Sequence, residues 1–214
     1  IATLTLNSPS NFNALSDEMI LALSTEFAKL AKTPSIRVVI LKGAGKAFCA
    51  GLDLTAMKAG GGGSGNDLDA RSHGLANSSQ GVAWGWRDLP VPVIAAAHGV
   101  AFGGGFQIFS GADIRIAHPD TKMAIMEMKW GLVPDMAGYA LWRTMVRDDV
   151  LRELAYTNRT FSGSEGERLG FVSHVSDVPY EHAMELARTI AGKNPHAIRA
   201  AKRLANLAAN ADDA

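Results

Sequence analysis

Two carboxylates and two glycine turns are the parts of this chain whose residue types could do chemistry together. Glu127 lies between Met126 and Met128, and Asp135 follows it eight residues later in the loop from Glu127 to Gly138. Apolar neighbours disfavour an ionised carboxylate, so Glu127 is expected to hold a proton above its ordinary range and to serve as a proton shuttle. One glycine turn, Gly103-Gly104-Gly105, follows the apolar run Val93 to Ala97; the other, Gly43 to Asp53, follows Val38 to Leu41. Glycine lets a backbone come close to a ligand, and the first N–H groups of a helix lack partners within it. Such groups suit an oxygen that gains negative charge. Two turns can offer two donors to one oxygen.

The surrounding pattern must position these groups. Ile1 to Leu6 reads as a strand, and a helix follows with Ser16 as N-cap, Asp17 and Glu18 in its first turn, and Met19, Ile20, Leu23, Phe27 and Leu30 at helical spacing. Pro34 ends it, and Arg37 to Lys42 is a buried strand. Strand, helix, strand points to an α/β layered architecture. The segment Ala59 to Asn66 is too rich in glycine for a regular element and reads as a mobile wall of a site or as a surface loop. Asn66 to Asp88 carries mixed helical signal. Ala112 to Ala117 and Thr121 to Met126 read as a pair of short strands around the turn at His118-Pro119-Asp120. From Tyr139 the chain is mostly helical, with a capping box at Ser162 to Glu165, a short strand at Phe171 to Val175, and helices from Pro179 to Ala191 and Pro195 to Ala209.

Composition narrows the function classes. The 214 residues suit one domain, and 47% hydrophobic with 20% charged residues is ordinary for a globular chain. Twenty-one basic residues balance twenty-one acidic ones, which argues against a nucleic-acid partner. Cys49 is the only cysteine, so a reducing, cytoplasmic setting is expected. No run approaches the roughly 18 apolar residues of a membrane span, and no signal peptide is evident. Because the chain opens on a strand without methionine, a few missing N-terminal residues are expected.

Other motifs read as structural. Gly43-Ala44-Gly45-Lys46 lacks the further glycine and the Ser or Thr of a phosphate loop, since Ile40 and Ala47 occupy those places. The glycines from Gly99 onward do not spell a dinucleotide fingerprint, and no nicotinamide or flavin is indicated. His98 has no second histidine at metal-ligand spacing, so no metal is expected. Cys49 reads as small packing, Asp113 as an organiser of a turn between sheet and helix, and Trp84, Trp86, Trp130 and Trp142 as core or interface.

Several segments together resemble the crotonase superfamily, the enoyl-CoA hydratase/isomerase family: Asn13-Ala14-Leu15, Gly43 through Leu54, Gly99 to Gln107, Ala112 to Ala117, and Glu127 through Gly138. The resemblance covers nearly the whole chain. It implies a spiral of repeated ββα units over residues 1–192 with a C-terminal helical segment at 193–214, usually in trimers or dimers of trimers. Members usually extend further at the C terminus, so residues missing there are also expected. It implies a cofactor-free enzyme acting on coenzyme A thioesters, as in fatty acid metabolism, with coenzyme A entering as part of the substrate. Matched position by position, the backbone N–H groups of Leu52 and Gly104 form the oxyanion hole. Ala14, Ala50, Gly51, Asp53, Leu54, Phe102, Gly103, Gln107, Met126 and Leu132 line the substrate site.

One departure decides between reactions. Hydratases of this family place glutamates at the positions of Gln107 and Glu127, and only the second is present. An amide neither takes nor gives a proton at ordinary pH. The second carboxylate becomes Asp135, a spacing that resembles dienoyl-CoA isomerases, although Asp135 also reads as an N-cap for a helix over Ala137 to Met145. Double-bond isomerisation is therefore favoured over water addition by Glu127. A scaffold that binds acyl-CoA without turnover is the rival from another class.

Overall fold

The computed structural model describes residues 1–53, 69 and 71–209. Leu54, the glycine-rich segment Ala59 to Asn66 and the last five residues lie outside them.

Parallel strands with both faces covered organise the chain. β1 (Ala2–Leu6), β2 (Val39–Gly43) and β3 (Val93–Ala97) pair in parallel, Thr3 beside Ile40 and Ile40 beside Ile94. Along β2 and the residue before it, Val39 and Leu41 join the main core, whereas Val38 and Ile40 join a second cluster on the opposite face. A strand buried on both sides reads as a continuous apolar run, which is why Val38 to Leu41 carries no polar alternation. Each such aliphatic side chain contributes roughly 1.5–3 kcal/mol on burial.

The chain then alternates between two sheets. β3 continues into β4 (Val100–Phe102), which leads into α3 (Gly104–Ser110); β5 (Ile114–Ala117) continues into β6 (Lys122–Ala124). β5 lies beside β3, and β7 (His174–Val175) beside β5, so the large sheet runs β1-β2-β3-β5-β7. β4 and β6 pair in a small parallel sheet, which single bridges extend through Cys49 to Ala101 and Met123 to Phe161. The β3-β4 and β5-β6 repeats thus each give one strand to each sheet, the pattern of the ββα spiral anticipated from the sequence.

Both strands flanking His118-Pro119-Asp120 form, but they do not pair with each other. Lys122 N–H donates to the Gly99 carbonyl, which carries β6 into the small sheet beside β4 instead of back along β5. Strand propensity gave the two elements and could not give their partners, which are set by burial.

Helices cover the large sheet. α1 (Asp17–Ala31) begins where the Ser16 side chain accepts from Met19 N–H at 3.2 Å, and it buries Leu23. α2 (Ser78–Asp88) begins with a reciprocal capping box between Asn77 and Gln80. After α4 (Gly138–Trp142) and α5 (Asp148–Thr157), Ser162 caps α6 (Gly163–Leu169), while Glu165 pairs with Arg159 instead of reaching back to the cap. α7 (Pro179–Ala191) packs Ala183 and Ala187 against the second face of the sheet, and α8 (Pro195–Ala208) closes the chain. No helix among the described residues is long and apolar enough to cross a membrane.

Candidate active site

Gly51 and Gly103 explain how two distant turns come to share one point. Gly51 has φ +89°, and a side-chain carbon there would stand 2.6 Å from the Phe102 carbonyl oxygen and 3.6 Å from the Gly104 nitrogen. Only glycine allows both the conformation and the approach. Gly103, at φ +49°, donates to the Ala124 carbonyl and turns the chain from β4 into α3.

The two N–H groups are free for a physical reason. In the parallel bridge between Leu15 and Leu52, Leu15 N–H donates to Gly51 and Asp53 N–H donates to Leu15, so Leu52 directs its own N–H to the other side. Gly104 is the first residue of α3 and has no partner within its helix. Neither N–H meets an acceptor among the described residues.

Glu127 closes the other side of this point. It begins a 3-10 turn over Glu127–Trp130, and its carboxylate lies 3.4 Å from where a side-chain carbon on Gly103 would stand. The Gln107 amide donates from Nε2 to Glu127 Oε1 at 2.6 Å, and Gln107 Oε1 accepts from Gly138 N–H at 2.8 Å. Among the described residues, Glu127 Oε2 is buried with no hydrogen-bond partner. Loss of solvent pushes Glu127 above the usual carboxylate range, backbone N–H groups and the Gln107 amide oppose that, and the Asp135 charge adds to it. The direction is the one expected from the flanking Met126 and Met128, both half-buried.

The remaining expected site residues fall around this point to different degrees. Ala14 is buried next to the Leu15 to Leu52 bridge, Ala50 N–H donates to Phe12, and Met126 abuts Gly103. Asp53 accepts from Asn11 at 3.3 Å. Leu132 donates its N–H to the Glu127 carbonyl but exposes its side chain, and Leu54 lies outside the described residues. Asp135 is exposed on its loop. It does not cap the following helix, which starts only at Gly138 after Ala137 in the left-handed region, with no side-chain cap. The loop from Leu132 ends in that backbone turn, so the N-cap reading of Asp135 is set aside.

Asn13, Gly138, Met136 and Tyr139 were not singled out from the sequence as parts of the site. Asn13 is fully buried at φ +58°, and its Nδ2 donates to the carbonyls of Ala44, Ala47 and Phe48, clamping the turn that carries Leu52. Asparagine tolerates that conformation better than most residues, which was the available signal. Met136 and Leu15 crowd Gly104. The Tyr139 hydroxyl is shifted upward by loss of solvent, then by Tyr156 and by Glu127, whose charge it faces.

Other polar groups keep structural roles. Burial pushes the Cys49 thiol up to about 12, so it packs and does not react. Asp113 accepts from Val93 N–H and from Lys202, and His98 Nε2 bonds to the Gly45 carbonyl at 2.8 Å. No three metal-ligating side chains gather among the described residues. A cavity of about 880 Å³ lies between α8 and the faces of α2 and α4, lined by Trp84, Arg87, Ala140, Thr144, Leu204 and Leu207. It contains neither Glu127 nor the N–H groups of Leu52 and Gly104, so it lies apart from the candidate site.

Known proteins share this arrangement of elements. The family model described as enoyl-CoA hydratase/isomerase matches residues 1–214. A peroxisomal Delta(3,5)-Delta(2,4)-dienoyl-CoA isomerase of Arabidopsis thaliana is 35% identical over 93% of this chain and 74% of its own length. An enoyl-CoA hydratase of Mycobacterium tuberculosis is 36% identical over 93% and 74% respectively. The crystal structure of an enoyl-CoA hydratase/isomerase from Mycobacterium paratuberculosis superposes with a TM-score of 0.84 at 27% identity, covering 96% of this chain and 81% of that one.

Proposed function

The chain belongs to the enoyl-CoA hydratase/isomerase family, and from that premise we propose that it shifts the double bond of an enoyl-CoA thioester. In this reading the thioester oxygen lies between the N–H groups of Leu52 and Gly104. Glu127 Oε2 removes a proton from the carbon next to the double bond, and the electrons move through the carbonyl to give an enolate. The two N–H groups stabilise the negative oxygen; one such donor is worth roughly 3 kcal/mol. Glu127 then returns the proton at the far end of the conjugated system, so no atom is gained or lost. Asp135 tunes the charge on Glu127 from the exposed side, and no cofactor is called for. Trimers or dimers of trimers remain part of the proposal.

The observation that carries this reading is the pairing of Glu127 with Gln107. Among the described residues at this point, Glu127 is the carboxylate with a buried oxygen, and its hydrogen-bond partner is a neutral amide that cannot serve as a second acid. Water addition by Glu127 alone is the second reading, because an unpartnered carboxylate oxygen can also polarise water, and a hydratase is among the relatives. Incubation with trans-3- and trans-2-enoyl-CoA in heavy water separates them. Conversion of the 3-enoyl to the 2-enoyl thioester without water gain is expected, whereas gain of water on the 2-enoyl substrate selects the hydratase. Silence on both, with acyl-CoA still bound, would leave a scaffold.

A further inference from the structure

Resting on the acyl-CoA reading, we propose that Gln107 is a positioning residue that ties down one oxygen of Glu127 and leaves Oε2 as the single atom that carries the proton. Gln107 is 1% exposed on α3, a helix buried along its whole length. Its amide has one permitted orientation. Gly138 N–H donates to its oxygen, so its nitrogen must face Glu127 Oε1. A flipped amide would set oxygen against oxygen and N–H against N–H, leaving four groups unsatisfied in a buried place.

The consequence is a carboxylate whose two oxygens differ. Oε1, 3.4 Å from where a side-chain carbon on Gly103 would stand, is held by an amide that neither takes up nor gives a proton, and Oε2 is buried and unpartnered among the described residues. A proton taken by Oε2 therefore stays on Oε2 until it is returned, and both transfers occur on one face of the enolate. A carboxylate at position 107 would compete for that proton. The other titratable groups facing Glu127 are Asp135 from its own loop and Tyr139 from α4, with Tyr156 and Arg152 of α5 behind Tyr139.

Two variants of the whole chain, Gln107→Leu and the isosteric Gln107→Glu, test the assignment. Infrared titration of the Glu127 carboxyl, identified by its loss in Glu127→Gln, needs no turnover. In Gln107→Leu the midpoint should move to higher pH, because a donor to the ionised form is gone. In Gln107→Glu two coupled steps should replace one, which keeps the test available should the leucine variant not fold. With trans-3-enoyl-CoA in heavy water, Gln107→Leu should lose about 10–100-fold in kcat with KM within about threefold. The fraction of substrate proton returned internally should fall with it. Unchanged midpoint, kcat and internal return in Gln107→Leu overturn the proposal. Failure of the wild type to turn over any enoyl-CoA instead overturns the reading on which it rests, so the two failures are distinct.

Discussion

Two charged groups with buried polar atoms are treated in opposite ways in this molecule. Lys202, on α8, is 7% exposed, and its Nζ donates to the carbonyls of Trp86 and Val91 and to the carboxylate of Asp113. All three ammonium protons have partners. Glu127 has one oxygen held by an amide and the other without a partner. A satisfied buried charge ties elements together, and here it joins α8 to α2 and the turn before β3. An unsatisfied one is costly, so its persistence points to a task. On the proposed reading, the contrast separates the part of the fold that holds from the part that acts.

Glu127→Gln is the largest test of that contrast. Turnover of enoyl-CoA should fall by about 10²–10⁴-fold, the usual contribution of a positioned acid or base, with acyl-CoA affinity retained. Stability should respond in the other direction. The folded pKa of Glu127 is raised above its ordinary 4.5, so its contribution to stability is fully present below that value and is lost as pH rises through the folded pKa. The melting temperature of Glu127→Gln relative to wild type should therefore climb as pH rises above 4.5 and level off once Glu127 is ionised. A flat difference from acid to neutral pH would show that Glu127 is not strained by its charge.

Lys202→Met should give the reverse pattern. Removing the ammonium takes the ion pair from Asp113, which keeps only its bond from Val93 N–H, and strips two buried carbonyls of their donor, a loss of about 2–4 kcal/mol in denaturant unfolding, below the full figure for a buried pair because Asp113 is partly exposed. The kcat per folded molecule at low temperature should stay within about twofold, because the substitution leaves the positioning of the reacting groups untouched. Between these extremes lies Gly51→Ala, where a side chain would meet the Phe102 carbonyl at 2.6 Å in a left-handed conformation. A loss of about 1–3 kcal/mol in stability is expected from the strain. Turnover should drop about 10–100-fold as the Leu52 N–H is displaced from the Gly104 N–H. Normal turnover in that variant would remove Leu52 from the site.

The parts proposed to act were more legible in the sequence than the parts that hold the fold. Glycine turns and a carboxylate between methionines are local features, and strands buried on both faces announce themselves as apolar runs. The partners of β5 and β6 were not legible, because propensity does not say which sheet a strand joins. Nor was Lys202, whose acceptors lie on Trp86, Val91 and Asp113, far away in the chain. Asn13 clamps carbonyls more than thirty residues on, at Ala44, Ala47 and Phe48, and such pairings follow only from the closed spiral. The amide at Gln107 was visible as a departure, but its fixed orientation depends on Gly138 N–H, a group that the sequence does not mark.

Asp135→Asn gives the smallest effect and the finest division between holding and acting. Asp135 is exposed, and its charge reaches Glu127 as a minor influence after burial and hydrogen bonding. Removing that charge makes the ionised form of Glu127 easier to reach, so its pKa should fall toward the ordinary value. If ionised Glu127 takes the first proton, activity rises with pH through that pKa, and the limb should move to lower pH in Asp135→Asn. At neutral pH kcat should change only a few-fold, and stability should be unaffected, as is usual for an exposed group. A loss of about 100-fold or more with the limb in place would instead make Asp135 a proton-handling group in its own right. Two carboxylates would then divide the reaction, and Oε2 of Glu127 would no longer be the single carrier.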